Sequence, residues 1–173
     1  MSLIRHQPLF ENPFQLEDLS VFDDATLRNM LGTGGFGMTA ECLGRGLHGA
    51  PPLLVERFVH TMPSHLRSSF IEELRRPVPP AEVEEARQRL LDNLFWELTY
   101  WRTPEWYDEL TAGERLHPGI FRQLEPALCG KVVLDAGAGS GRASFECLRH
   151  GARLVYAVEP SPGLSRILEQ KLS

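Results

Sequence analysis

The sequence predicts a mixed fold, an all-α helical bundle at the N-terminus followed by a β-α-β unit. Three observations carry this. Apolar residues recur at helical spacing from Gln15 to about Trp101. The texture changes after Trp101, where aromatic and charged residues crowd Pro104–Pro118. Two short β-type runs, Lys131–Asp135 and Arg153–Glu159, then flank a helical segment, Arg142–His150.

The helical half is justified element by element. Residues 1–14, interrupted by Pro8, Asn12 and Pro13, read as a tail or an arm. Asp23 or Asp24 serves as N-cap for Ala25–Leu31, where an acid also favours the helix dipole. Gly32–Gly37 breaks that helix, and the next covers Met38–Leu47. Pro51 and Pro52 open Leu53–Met62, since a first helical turn tolerates proline. A fourth helix starts around Pro63 and Ser64 and ends before Pro77. The fifth is expected to run unbroken from Pro80 to Trp101. Its stripe is Val83, Ala86, Leu90, Leu91, Leu94, Phe95, Leu98 and Trp101. Short connectors between such helices predict a bundle over residues 15–101. A connecting segment, 102–129, holds one more helix over Gly119–Leu128 and leads to the β-α-β unit, 130–173.

Composition narrows the function classes. With 173 residues, 42% of them hydrophobic and 24% charged, the chain has ordinary globular composition. The formal net charge is -5, and acids outnumber bases on both sides of residue 102, so nucleic acid is a poor partner. Cys42, Cys129 and Cys147 are scattered and odd in number, which argues against a disulfide framework or zinc site and fits a reducing cytoplasm. Met1–Phe10 lacks the pattern of a signal peptide, and no apolar run reaches the roughly 20 residues that span a bilayer. His60 and His65 have Pro63 between them and no third ligand in sight, so no metal is expected.

The chemistry sits in Val132-Val133-Leu134-Asp135-Ala136-Gly137-Ala138-Gly139-Ser140-Gly141. An apolar strand ends at an acid and a glycine turn, and a helix follows at once. Glycines permit the backbone angles of such a turn and let a ligand approach the main chain. The helix N-terminus favours a carboxylate or phosphate. A second acid, Glu159, closes the next strand 22 residues beyond Gly137, a position from which a carboxylate accepts from both ribose hydroxyls. A dinucleotide fingerprint wants its third glycine at position 142, which is Arg142; Gly141 comes one residue early, so the spacing disfavours NAD. A β-α-β unit that binds nothing stays open on the residues alone.

Asp135-x-Gly137-x-Gly139-x-Gly141 resembles motif I of class I S-adenosylmethionine-dependent methyltransferases. Val155-Tyr-Ala-Val-Glu159-Pro160-Ser161 resembles the second-strand motif of that family. The resemblance covers roughly Gly130–Ser173, with Glu105–Phe121 as a further candidate stretch. It implies an incomplete Rossmann-like fold with S-adenosyl-L-methionine as cofactor. Asp135, Ala136, Gly137, Ala138, Gly139 and Gly141 are then expected at the methionine end, and Glu159 and Pro160 at the ribose. Acceptor-side residues of the family come from later strands, so no catalytic residue is assigned, and the chain alone is expected to show little or no activity. Trp106, Tyr107 and His117 form a candidate lid over the cofactor, although such aromatics more often fill a core or interface.

A literal G-x-G-x-x-G also occurs at Gly32-Thr33-Gly34-Gly35-Phe36-Gly37, but a helix precedes it rather than a strand. Residues 1–130 contain no lysine to serve a kinase-type loop, so it reads as an inter-helix loop. The surrounding residues resemble the C-terminal helical domain of the flagellar motor switch protein FliG. They are Phe22-Asp23-Asp24-Ala25-Thr26-Leu27, Ala40-x-x-Leu43-x-x-Gly46-Leu47-His48-Gly49-Ala50, Phe58-Val59-x-x-Met62 and Pro77-Val78-Pro79-Pro80-x-x-Val83-Glu84-Glu85-Ala86-Arg87. This likeness, over about residues 16–94, implies a protein partner for the helical domain and gives Asp23 and Asp24 a partner-facing role. Ala25 stands where that family has arginine, which favours a docking module over a motor part. The alternative function is accordingly an interaction module with a vestigial cofactor fold.

Overall fold

The computed structural model describes residues 11–114 and 118–173, and several of its elements start at a recognisable cap or proline. A 3-10 helix, Leu16–Val21, leads into α1 (Asp24–Gly32), capped by Asp23, whose carboxylate accepts from the Thr26 amide at 2.7 Å. Thr39 likewise caps α2 (Ala40–Gly46), and Pro52 opens α3 (Pro52–Thr61). Then follow α4 (Ser64–Arg75), α5 (Pro80–Asn93) and α6 (Phe95–Arg102). α7 (Pro104–Ala112) and α8 (Pro118–Leu128) precede β1 (Val132–Ala136), α9 (Arg142–Arg149), β2 (Leu154–Val158) and α10 (Pro162–Leu172). Among the described residues the fold is thus mostly helical, with one two-stranded parallel sheet.

The chain divides into two compact units between Leu98 and Thr99. In the first, α2 is wedged between α4 and α5, and its two glycines make that possible. A β-carbon on Gly44 would stand 2.8 Å from the Phe70 carbonyl oxygen, and one on Gly46 would stand 3.2 Å from that of Ala86. Leu19, Phe22, Leu27, Leu31, Leu43, Leu47, Phe58, Met62, Phe70 and Leu90 fill the core. At the α2–α4 crossing Arg45 donates to the buried Glu73 carboxylate at 2.9 Å, so the charge is taken out of water with a partner.

One expectation changes here. The expected helix from Pro80 to Trp101 breaks at Leu94, where φ is -99° and ψ 5°. Neither glycine nor proline stands there. Instead the Leu94 amide splits between the Leu90 and Leu91 carbonyls, both 3.2 Å away, while the Leu94 side chain stays buried and Asn93 reaches the Phe36 carbonyl at 2.8 Å. Within the expected tail or arm, Phe14 is buried and its ring lies 5.9 Å from that of Phe95, and Asn12 donates to Asp92.

In the second unit β1 and β2 pair in parallel, Val132 opposite Leu154 and Ala136 opposite Val158. One sheet face turns Val133 and Val155 toward a small core of Leu128, Cys147 and Ala152, with α9 packed on both strands. The opposite face carries Val132, Leu134, Leu154, Tyr156 and Val158, all exposed. The strand type read from the sequence is that of a strand covered on both faces; here α9 covers only one. α7 packs on α10, with Gly163 giving way to the ring of Pro104.

Candidate functional site

The strand β1 ends at Ala136, and the chain then turns through Gly137 (φ 83°), Gly139 (φ 58°) and Gly141 (φ 93°) into α9. The glycine stretch is therefore a turn between strand and helix. Gly141 is the most crowded position of the turn. Its φ is left-handed, and a β-carbon there would stand 2.8 Å from Phe145 Cε2 and 3.1 Å from Leu168 Cδ1. Gly137 and Gly139 differ, since a β-carbon on either meets open space within 4 Å. One side of the turn is thus packed on α10 and the other is accessible.

The amides of this turn are largely committed. Those of Gly137 and Ala138 both donate to the Val158 carbonyl, at 2.8 and 3.0 Å, and that of Gly141 to the Ala138 carbonyl at 2.9 Å. The Gly139 amide donates to Glu159 Oε2 at 2.7 Å. These bonds tie the turn to the end of β2. What the turn offers outward is the open surface at Gly137 and Gly139 and the acids beside it.

The two acids stand on neighbouring strand ends. Asp135, half-buried, accepts from the hydroxyl of the buried Ser144 on α9 at 2.6 Å through Oδ2. Glu159, half-buried just past β2, faces the turn. Its Oε1 accepts from the Ser161 amide at 2.7 Å and from the Tyr100 hydroxyl. Ser161 also caps α10 through its side chain. Ala138 is buried, whereas Ala136 and Pro160 are exposed beside the acids. All eight residues singled out in the sequence therefore lie at the carboxyl ends of the two strands or in the turn between β1 and α9.

Around this edge the structure adds residues that sequence reasoning did not select. Tyr100 is held edge-on to Tyr107, ring centres 5.4 Å apart, and to Trp101 at 5.3 Å. Burial raises the Tyr100 phenol pKa, and the bond to Glu159 raises it further. Asp108 on α7 pairs with Lys171 of α10 at 2.6 Å. Burial works against the charged form of Asp108, yet bonds from Lys171 and Ser140 outweigh it and hold the carboxyl below its ordinary value. Arg142, first residue of α9, donates to the Thr111 carbonyl at 3.0 Å and to Glu114 Oε2 at 3.0 Å, fastening the end of α7. No motif flagged these residues, because their partners lie dozens of positions away. Of the candidate lid, Trp106 and Tyr107 sit on α7, and His117 lies outside the described residues.

The second glycine stretch behaves differently. It joins α1 to α2 through a 3-10 turn, Gly35–Gly37, with Phe36 itself at φ 58°. Phe36 is buried against Phe58, rings 5.9 Å apart. Asp24, one of the two acids given a partner-facing role, is paired with Arg57 at 2.9 Å, and Asp23 is spent as the helix cap. Among the described residues, no three His, Cys, Asp or Glu side chains gather as a metal site, and no helix is long and apolar enough to cross a membrane. The thiol of Cys147 is buried among apolar neighbours, and that burial raises its pKa.

A stretch of 43 residues is 56% identical to protein arginine N-methyltransferase 6 of Danio rerio, covering 25% of this chain and 12% of that protein. No family model and no solved structure matches. The likeness to the flagellar switch protein gains no support from these comparisons.

Proposed function

We propose that the second unit is the cofactor-binding beginning of a Rossmann-like, S-adenosylmethionine-dependent methyltransferase. The observation that carries this reading is the placement of Glu159. It closes the second strand and turns its carboxylate onto the glycine turn that ends the first. The short, high-identity match to an arginine methyltransferase points the same way.

The residues present fit the cofactor. A sulfonium, an ammonium and two ribose hydroxyls ask for acceptors and negative charge, and Asp135 and Glu159 supply both at one edge. The open side of Gly137 and Gly139 leaves room for a ligand against the main chain. In this reading Asp135 and the turn from Ala136 to Gly141 hold the methionine end. Glu159, beside Pro160, holds the ribose. When bound, the cofactor supplies a methyl group already activated on sulfur, so the protein's task is alignment. Ser144 orients Asp135, and the Gly139 and Ser161 amides orient Glu159. The acceptor is a small molecule or a protein side chain. The name of the matched relative favours arginine within the second class. The helical first unit serves recognition or docking of a partner in a cytoplasmic protein.

Calorimetry with S-adenosylhomocysteine, the demethylated product, tests the reading. Micromolar binding is expected, and Asp135→Ala or Glu159→Ala should abolish it while leaving the far-ultraviolet circular dichroism unchanged. A folded wild-type chain that binds neither the product nor S-adenosylmethionine refutes the proposal.

A further inference from the structure

We infer that Tyr100 is a further residue of the nucleoside site, its hydroxyl standing on the Glu159 carboxylate where a ribose hydroxyl would donate, so that it competes with the ligand and sets its affinity. The inference rests on the reading of Glu159 as a ribose ligand and goes beyond it by assigning a residue that opposes binding.

The argument is a count of acceptor positions. An ionised carboxylate offers about four lone-pair sites, two on each oxygen. On Glu159, Oε1 already accepts from the Ser161 amide and the Tyr100 hydroxyl, and Oε2 accepts from the Gly139 amide. One site is left, on Oε2. A ribose that presents two adjacent hydroxyls needs two, so one of the three donors has to leave.

The donors differ in how readily they do so. Gly139 belongs to a turn whose neighbouring amides are fixed on the Val158 carbonyl. The Ser161 amide stands at the cap of α10, where Ser161 Oγ accepts from the Leu164 amide. Moving either unwinds backbone. Tyr100 gives up its bond by a small rotation of a side chain, without moving the main chain. It also donates an O–H to the carboxylate, as a sugar does, so the exchange replaces one bond with another of the same kind. Ionisation does not release it near neutral pH, because burial and Glu159 both favour the protonated phenol. Displacement by the ligand is the remaining route.

The consequence has a sign opposite to that of an ordinary binding residue. In Tyr100→Phe the ring contacts with Tyr107 and Trp101 persist, while the competing hydroxyl is gone. The half-exposed carboxylate then turns to water, which a ribose displaces at lower cost. S-adenosylhomocysteine should bind the variant roughly three- to tenfold more tightly, the scale of one hydrogen bond.

The test is calorimetry on the full chain, wild type and Tyr100→Phe, with S-adenosylhomocysteine and with its 2′,3′-dideoxy analogue. Tighter binding of the first and unchanged binding of the second supports the inference. Equal or weaker binding of S-adenosylhomocysteine overturns it, as does an equal gain for the dideoxy analogue, which would mean repacking around the ring. If the wild type binds neither compound, the methyltransferase reading falls and this inference with it. If the wild type binds and depends on Glu159 but the variant gains nothing, only this inference falls. Should the variant fail to fold, resonance Raman of the wild-type tyrosines decides the matter. The phenol doublet must shift on adding S-adenosylhomocysteine and stay put with the dideoxy analogue; no shift with the former overturns the proposal.

Discussion

Replacing Gly141 by alanine should loosen the second unit alone, by a margin that follows from two separate costs. The first is backbone. At φ 93° an L-residue is left-handed, which costs about 1–2 kcal/mol. The second is contact, because the new methyl group would stand 2.8 Å from Phe145 Cε2 and 3.1 Å from Leu168 Cδ1. Shifting two packed side chains adds about 1–2 kcal/mol. The sum is about 2–4 kcal/mol, a large part of the stability of a small domain. Gly137→Ala is the matched control, with φ 83° and nothing within 4 Å, so it incurs only the first cost. Because the chain has two units, a single melting curve mixes them, and hydrogen exchange read by mass spectrometry is the better assay. Amides of α9 and β2 should lose roughly 30- to 1,000-fold protection in Gly141→Ala, those of α1–α5 nothing. The reasoning fails if Gly137→Ala costs as much as Gly141→Ala, or if protection falls equally in both units.

Gly44→Ala should destabilise the first unit by about 1–3 kcal/mol by exchange over α2 and α4, although alanine is the better helix former by about 1 kcal/mol. The reason is a β-carbon 2.8 Å from the Phe70 carbonyl oxygen, and an unchanged or stabilised unit would refute it. Asp108 has its pKa lowered in the fold, so its contribution is present above the ordinary carboxylate range, about pH 4, and is lost as pH falls through its folded value. Exchange protection of α7 and α10 at pH 7 against pH 3 should therefore drop more in the wild type than in Asp108→Asn. Tyr100, with its pKa raised, contributes stability below the ordinary tyrosine range that is lost as pH climbs above it. In an alkaline ultraviolet titration a tyrosine step above the ordinary tyrosine range should appear, and Tyr100→Phe should remove it.

Local signals made much of this molecule legible. Pro52 and Pro80 at helix starts, Asp23 as a cap and the alternation of β-type and helical runs after Lys131 all act over a few residues. A helix is expected over Ala25–Leu31 and runs from Asp24 to Gly32, and the strand expected over Lys131–Asp135 runs from Val132 to Ala136. The break at Leu94 was not legible, because its causes are distant. The Phe36 carbonyl draws in Asn93, and Phe14 meets Phe95. The same holds for Tyr100. An apolar-looking aromatic in a helical run gives no hint that its hydroxyl meets an acid 59 positions away.

The two glycine stretches show why a motif is read through its surroundings. Both spell glycines at close spacing, and both hold several left-handed residues. After α1 the chain has spent its hydrogen bonds within a helix, so the turn is free to bury a side chain. Phe36 takes that place, strained at φ 58°, and its carbonyl is closed off by Asn93. After β1 the pairing partner is a parallel strand, whose last carbonyl, on Val158, collects two amides of the turn and draws it against Glu159. The acid is thereby brought to the glycines by strand pairing, a consequence of the apolar runs Val132–Leu134 and Leu154–Val158 rather than of the glycines themselves. A charged residue at Val133 or Val155, which face the small core, should for that reason separate Glu159 from the turn even though every motif residue remains in place. Val155→Asp at neutral pH should lose S-adenosylhomocysteine binding as completely as Glu159→Ala, with lost protection over β1 and β2 that Glu159→Ala does not show.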